Sequence, residues 1–288
     1  MNIIIYSNCH GEVLKEMLLM ISNELDIKNI KKYCNFEELE KNNKLNNNVL
    51  NDLKKCNLFI YQPFNKTHNN NEWDVNNLIK YLNANVIIYR INYYRFKGFH
   101  INNEFHPFYN YDNYYKFNKL PKYGLDNNLK NYNGKSMEEL IEFINNIPHN
   151  SNNIIKNFEK GLELFKVIDN CSDVNMYDFF INNYKKYRLF NDVYHPTNIF
   201  IYECLRQLVE KIFKIKLKYM DMNFINKFAS IEMTKFTTPI MPHIKKILNL
   251  DFNDNYYLWD KSWKIKINIY NYCYMRLNYD NFKKINNL

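Results

Sequence analysis

A cysteine stands at the junction of a short apolar run and an amphipathic one, in Ser7-Asn8-Cys9-His10-Gly11. A side chain placed where a strand turns into a helix faces the positive end of the helix dipole. A cysteine there has a physical reason for nucleophilic character. The backbone N–H groups of His10 and Gly11, in the first helical turn, are expected to be free and able to stabilise an oxyanion. The ordinary alternative is a small buried cysteine closing a strand. Far along the chain, Asp192-Val193-Tyr194-His195 sets a carboxylate three residues before an imidazole. In such a turn the carboxylate fixes one ring nitrogen and leaves the other to act as general base. The alternative is that Asp192 caps a helix opened by Pro196 while His195 packs. Cys9, Asp192 and His195 together follow a nucleophile–Asp–His order.

Polar residues near the same chain turns could complete a site. Gln62 and Asn65 follow a short apolar strand and could donate to an oxyanion or to a substrate hydroxyl; turn residues are the equal alternative. Arg90, Arg95 and Lys97 fall near the next strand end and could hold pyrophosphate or a 3′-phosphate, though surface charge alone would account for at least one of them. His10 and His100 are further polar candidates. With His106 they could suggest a metal, but no carboxylate or cysteine spacing supports one, so no metal is expected. With five glycines in the chain, neither a GxGxxG nor a P-loop cradle is present.

These residues need a scaffold, and the first ninety positions supply its pattern. Residues 3–7 form a continuous apolar run of strand length, as a buried parallel strand requires. Val13, Leu14, Met17, Leu18, Ile21 and Leu25 then recur at helical spacing over 11–26. Further strands are expected at about 27–33, 57–61 and 86–89. Short helices are expected at 49–55 and from an Asp74 cap to about 82. Alternating strand and helix predicts a parallel α/β sheet of about four strands flanked by helices, flavodoxin-like, with ligands outside the carboxyl ends of the strands.

Residues 93–135 are aromatic and Asn-rich without clear period, and such long irregular segments are more often functional than idle. The chain then reads as largely helical. Ser136-Met137-Glu138-Glu139 is a capping box opening a helix to about 147. Helical patterns follow at 151–168 and 174–187, from Pro196 onward, and at 239–248; the aromatic stretch after Phe252 carries no assignable period. The expectation is a single domain over 1–288: a parallel α/β core at 1–92, an irregular active-site segment at 93–135, and a mainly helical part at 136–288 carrying the Asp/His motif.

Composition narrows the partners. A chain of 288 residues that is 46% hydrophobic can bury a sizeable core. Its net charge of +9 favours anionic partners, although the lysines are scattered as on a solvated surface. Six cysteines without a CxxC pair make neither a disulfide framework nor a zinc site. The Asn, Ile, Lys and Tyr bias is that of AT-rich codons, as in an AT-rich virus or microbe. No window approaches a membrane span and no signal peptide is evident, so a cytoplasmic protein is expected, in the host cytoplasm if viral.

Ile5-Tyr6-Ser7-Asn8-Cys9-His10-Gly11 resembles the opening block of the WcbI-like polysaccharide biosynthesis proteins. Leu58-Phe59-Ile60-Tyr61-Gln62-Pro63, Phe96-Lys97-Gly98-Phe99-His100, Asp192-Val193-Tyr194-His195-Pro196-Thr197-Asn198 and Thr238-Pro239-Ile240-Met241-Pro242 are similar to later blocks, in the same order. Ser7 stands where the family has glycine and His10 where glutamine is frequent. The layout also resembles the SGNH hydrolases. The resemblance implies binding of acetyl-CoA and transfer of its acetyl group to a sugar hydroxyl of a glycan, with Cys9, Asp192 and His195 at the site. An SGNH-type esterase using the same residues is the alternative. A basic protein binding glycan or nucleic acid without catalysis ranks lower, because no nucleic-acid motif is present. The oligomeric state is open, with a homodimer as the candidate.

Overall fold

The computed structural model describes residues 1–41, 44–63, 71–100, 132, 136–228, 240–252, 256–260 and 263–267. Four strands, β1 (Asn2–Ser7), β2 (Asn29–Cys34), β3 (Leu58–Tyr61) and β4 (Ile87–Arg90), pair in parallel in the order β2-β1-β3-β4. β1 is central, and its apolar run is buried on both faces. Alternation of side chains divides the sheet into two packed layers. Ile4, Tyr6 and Phe59 join Leu39, Val49, Leu53, Trp73 and Leu78 in one cluster. Those partners come from α2 (Asn35–Lys41), α3 (Asn47–Lys55), α4 (Val75–Leu78) and the segment before it. Ile5 and Ser7 face α1 (His10–Met20) on the other side, where α1 packs against α8 (Asn198–Phe213).

Helix α1 stops at Met20, short of the expected residue 26. Ser22 intercepts the chain there: its hydroxyl donates to the Leu19 carbonyl at 2.7 Å and its own carbonyl accepts from Ile27 N–H at 2.9 Å. Asp26 then takes a left-handed conformation, φ 48°. Asp74 caps α4 as expected, accepting from Asn76 N–H, and a 3-10 turn at Ile79–Tyr81 completes that short helix.

The later chain is largely helical: α5 (Met137–Asn145), α6 (Ser151–Asp169), α7 (Met176–Asn183), α8, α9 (Met222–Asn226) and α10 (Pro242–Leu248). Helix α8 opens at Asn198 with Thr197 extended before it, so Pro196 precedes the cap instead of starting the helix. An antiparallel hairpin of β5 (Tyr256–Asp260) and β6 (Trp263–Ile267) occupies part of the stretch whose pattern gave no assignment. No helix among the described residues is long and apolar enough to cross a membrane.

The chain divides into two compact units, both discontinuous in sequence. The first comprises Met1–Arg95, Leu164–Asn182 and His195–Met233, and the second Phe96–Glu163, Asn183–Tyr194 and Thr234–Leu288. In the first, the loop after α6 is clasped to β4. Asp173 accepts from the Arg90 N–H and donates its own N–H to the Arg90 carbonyl, while Tyr94 donates to Asp169 at 3.0 Å. In the second, Phe96, Phe99, Phe158 and Tyr184 pack as one aromatic group. Gly161 of α6 lets that helix approach closely, since a Cβ there would lie 3.3 Å from the Gly98 backbone.

Candidate active site

In the order β2-β1-β3-β4 the chain leaves β1 and β3 toward opposite sides, making a topological switch point between two adjacent strands, and such points are where open α/β sheets bind ligands. Two of the expected blocks fall there. Cys9 follows β1 and Gln62 follows β3.

Cys9 is the N-cap residue of α1 and is half-buried; its thiol makes no capping hydrogen bond. The cap is supplied one residue earlier. The Asn8 side-chain Oδ1 accepts from His10 N–H at 2.9 Å, and the Asn8 carbonyl accepts from Gly11 N–H at 3.2 Å. This corrects the expectation that these two amides are free for an oxyanion, because short polar side chains before a helix compete for its first N–H groups. The Cys9 amide N–H, by contrast, has no acceptor among the described residues. Gly11 is required sterically: a Cβ there would sit 1.8 Å from the Ser7 hydroxyl and 3.0 Å from the Ile5 side chain. A glycine is what lets α1 leave β1 this abruptly.

His10 is buried at 3% exposure, between two rings. Its centroid lies 5.3 Å from that of Tyr93 and 6.5 Å from that of His195. The imidazole of the late block therefore reaches the residue next to Cys9, and His195 is itself half-buried. Tyr93 went unremarked in the sequence, where it is one aromatic among many in an aperiodic stretch.

Gln62 is buried, and both ends of its amide are engaged. Oε1 accepts from Asn8 N–H at 3.0 Å and Nε2 donates to the Asn92 carbonyl at 3.1 Å. It thus ties the turn after β1 to the residue after β4. Arg90, at the end of β4, donates from Nε to the Asn92 side-chain oxygen at 3.3 Å and is half-buried. The rest of its guanidinium has no acceptor among the described residues, as a phosphate-binding fork would need. Arg95 is half-buried in the same unit.

The remaining candidates divide otherwise. Asn65 and His106 lie outside the described residues. Asp192, Lys97 and His100 belong to the second unit. There the Asp192 carboxylate accepts from Tyr194 N–H at 2.7 Å, an Asx turn that shapes its block. The Phe96 N–H donates to the Val193 carbonyl at 2.8 Å, joining two of the sequence blocks. His100 is completely buried, and burial with the Arg188 charge pushes its imidazole down to about 3, against the opposing pull of Asp192. Lys97 is exposed. No group of three or more potential metal ligands occurs among the described residues.

A family model described as polysaccharide biosynthesis enzyme WcbI matches residues 2–213. No curated protein matches the sequence. A solved structure resembles the fold at a TM-score of 0.61 and 14% identity, over 98% of this chain and 90% of that one. That structure is of WcbI, described as a novel polysaccharide biosynthesis enzyme, in a native form without a disulfide bond between coenzyme A and a cysteine.

Proposed function

This chain belongs to the WcbI polysaccharide biosynthesis enzyme family, and from that premise we propose that it transfers an acetyl group from acetyl-CoA to a sugar hydroxyl of a glycan. The observation that carries the reading is the meeting of the two chemistry-bearing blocks, the His195 ring 6.5 Å from that of His10, beside Cys9 at the head of α1. The solved relative whose name couples coenzyme A with a cysteine supports the choice of acyl donor.

In the proposed reaction Cys9 passes its thiol proton to His195 and its sulfur attacks the thioester carbonyl carbon. The bond from that carbon to the coenzyme A sulfur breaks, and the departing thiolate takes a proton from His195. The sugar hydroxyl then attacks the acetyl-cysteine, His195 accepts its proton, and the Cys9 thiolate is released. The Cys9 N–H is a candidate oxyanion donor. Arg90 and Arg95 are the candidates for the coenzyme phosphates. In a direct variant His195 activates the sugar and Cys9 only lines the acetyl pocket.

Peptide mass spectrometry after incubation with acetyl-CoA tests this. Acetyl on the Cys9 peptide, discharged by a sugar acceptor, is the expected result. A Cys9→Ala enzyme with full transferase activity selects the direct route. Acetate released equally with and without acceptor sinks the transferase reading in favour of an esterase.

A further inference from the structure

Gln62 is 1% exposed, and the connections that follow all four parallel strands converge on it. Its N–H donates to the Tyr6 carbonyl of β1 at 2.8 Å, and its carbonyl accepts from Asn35, the residue after β2, at 3.0 Å. Its side chain spans from Asn8, after β1, to Asn92, after β4. The orientation of the amide is dictated by its partners, a main-chain donor on one side and a main-chain acceptor on the other. Only a group carrying an acceptor and a donor together answers both. Methionine of similar size would leave the Asn8 N–H and the buried Asn92 carbonyl unmet. An ionised glutamate would satisfy Asn8 and repel the Asn92 carbonyl, whereas a protonated glutamate restores both bonds.

We propose that Gln62 is a positioning residue: by holding the Asn8 N–H it fixes the turn that presents Cys9. Asn8 in turn accepts from both His10 N–H and Gly11 N–H at the start of the helix, so displacing it moves the thiol relative to the helix. This role differs from the expected one of oxyanion or substrate contact, in that the two ends of the amide each hold a main-chain group of the protein. The proposal rests on Cys9 being the working thiol of the acyl-transfer site.

The glutamate substitution supplies a readout that simple loosening of the fold would not produce. Labelling of Cys9 by a dipyridyl disulfide, which reacts from acidic to neutral pH, is followed by peptide mass spectrometry and expressed as the variant-to-native rate ratio at each pH. Q62E should label like the native protein at acidic pH and several-fold more slowly once its carboxyl ionises. Q62M should be slow throughout, without that recovery. Asn35→Ala, which cuts the bond to the Gln62 carbonyl and the local bond from Phe36 N–H but neither bond of the Gln62 side chain, should leave the ratio near one. For acetyl transfer, Q62M should lose roughly 10-fold or more in kcat with little change in KM.

A Q62E ratio flat with pH overturns the proposal. So does an Asn35→Ala ratio that falls as far as that of Q62M, or a Q62E loss that coincides with unfolding by circular dichroism. If Q62M does not fold, Q62E alone carries the test. Labelling requires no acetyl-CoA, so failure of the transferase reading shows separately, as absence of acetyl-Cys9 in a protein whose labelling follows these ratios.

Discussion

His100 is a base that the fold keeps from its proton. Full burial and the Arg188 charge hold its imidazole down to about 3, against about 6.5 in an unfolded chain. Between those values the unfolded state binds a proton that the native state refuses. Stability from this group is therefore complete above about pH 6.5 and is lost as pH falls toward 3, with a slope of up to ~1.4 kcal/mol per unit. Urea unfolding at about pH 7 and about pH 5 should differ by roughly 2 kcal/mol from this source. His100→Gln should remove that part of the difference; an unchanged pH slope in the variant contradicts the assignment. The histidine stood out in the sequence as a polar candidate, but burial is a tertiary property that its Gly98-Phe99-His100 context does not encode. Cys9 was more legible, because a strand and a helix on either side locate it. Asn8 was not, because its use as the cap depends on a turn one residue wide.

Elements with a strong local signal were readable, and those whose identity depends on neighbours were not. The Ser136 capping box is present in full: the hydroxyl accepts from Glu139 N–H at 3.1 Å and the Glu139 carboxylate accepts from Ser136 N–H at 3.4 Å. Ser136→Ala removes one half of it and should cost about 1 kcal/mol in urea unfolding. Glu139→Gln, which keeps an acceptor, should cost less; equal losses would mean that the carboxylate charge and not the box geometry matters. The run Val86-Ile87-Ile88-Tyr89 was legible as a strand but not as an edge strand. Ile87 and Ile88 stay 43% and 37% exposed because β4 ends the order β2-β1-β3-β4, and an apolar run fits centre and edge alike. Helix α2 and the β5–β6 hairpin carry too little periodicity to declare themselves, being only seven and five residues long per element.

At the scale of the whole molecule, the early turn and the late block are joined by tertiary structure alone. The ordered blocks hinted that His195 belongs with Cys9, and no local period could have shown that its ring approaches His10. Net charge acts at this scale too. With a formal charge of +9, the protein attracts a polyanion such as coenzyme A over about a Debye length, ~10 Å at 0.1 M salt. A ligand that binds only the native state at about 100 times its Kd stabilises it by roughly 2.7 kcal/mol, enough to raise the melting temperature by several degrees. Acetyl-CoA should therefore raise the Tm, and the rise should shrink as salt is added. Arg90→Ala should lose much of the rise, because the open part of that guanidinium is a candidate phosphate fork. Cys9→Ala should retain it, since in the proposed reaction the thiol meets only the acetyl end and contributes nothing to holding phosphates. A salt-insensitive rise, or one that survives in Arg90→Ala but vanishes in Cys9→Ala, would place the binding energy at the thiol and not in the protein's positive field.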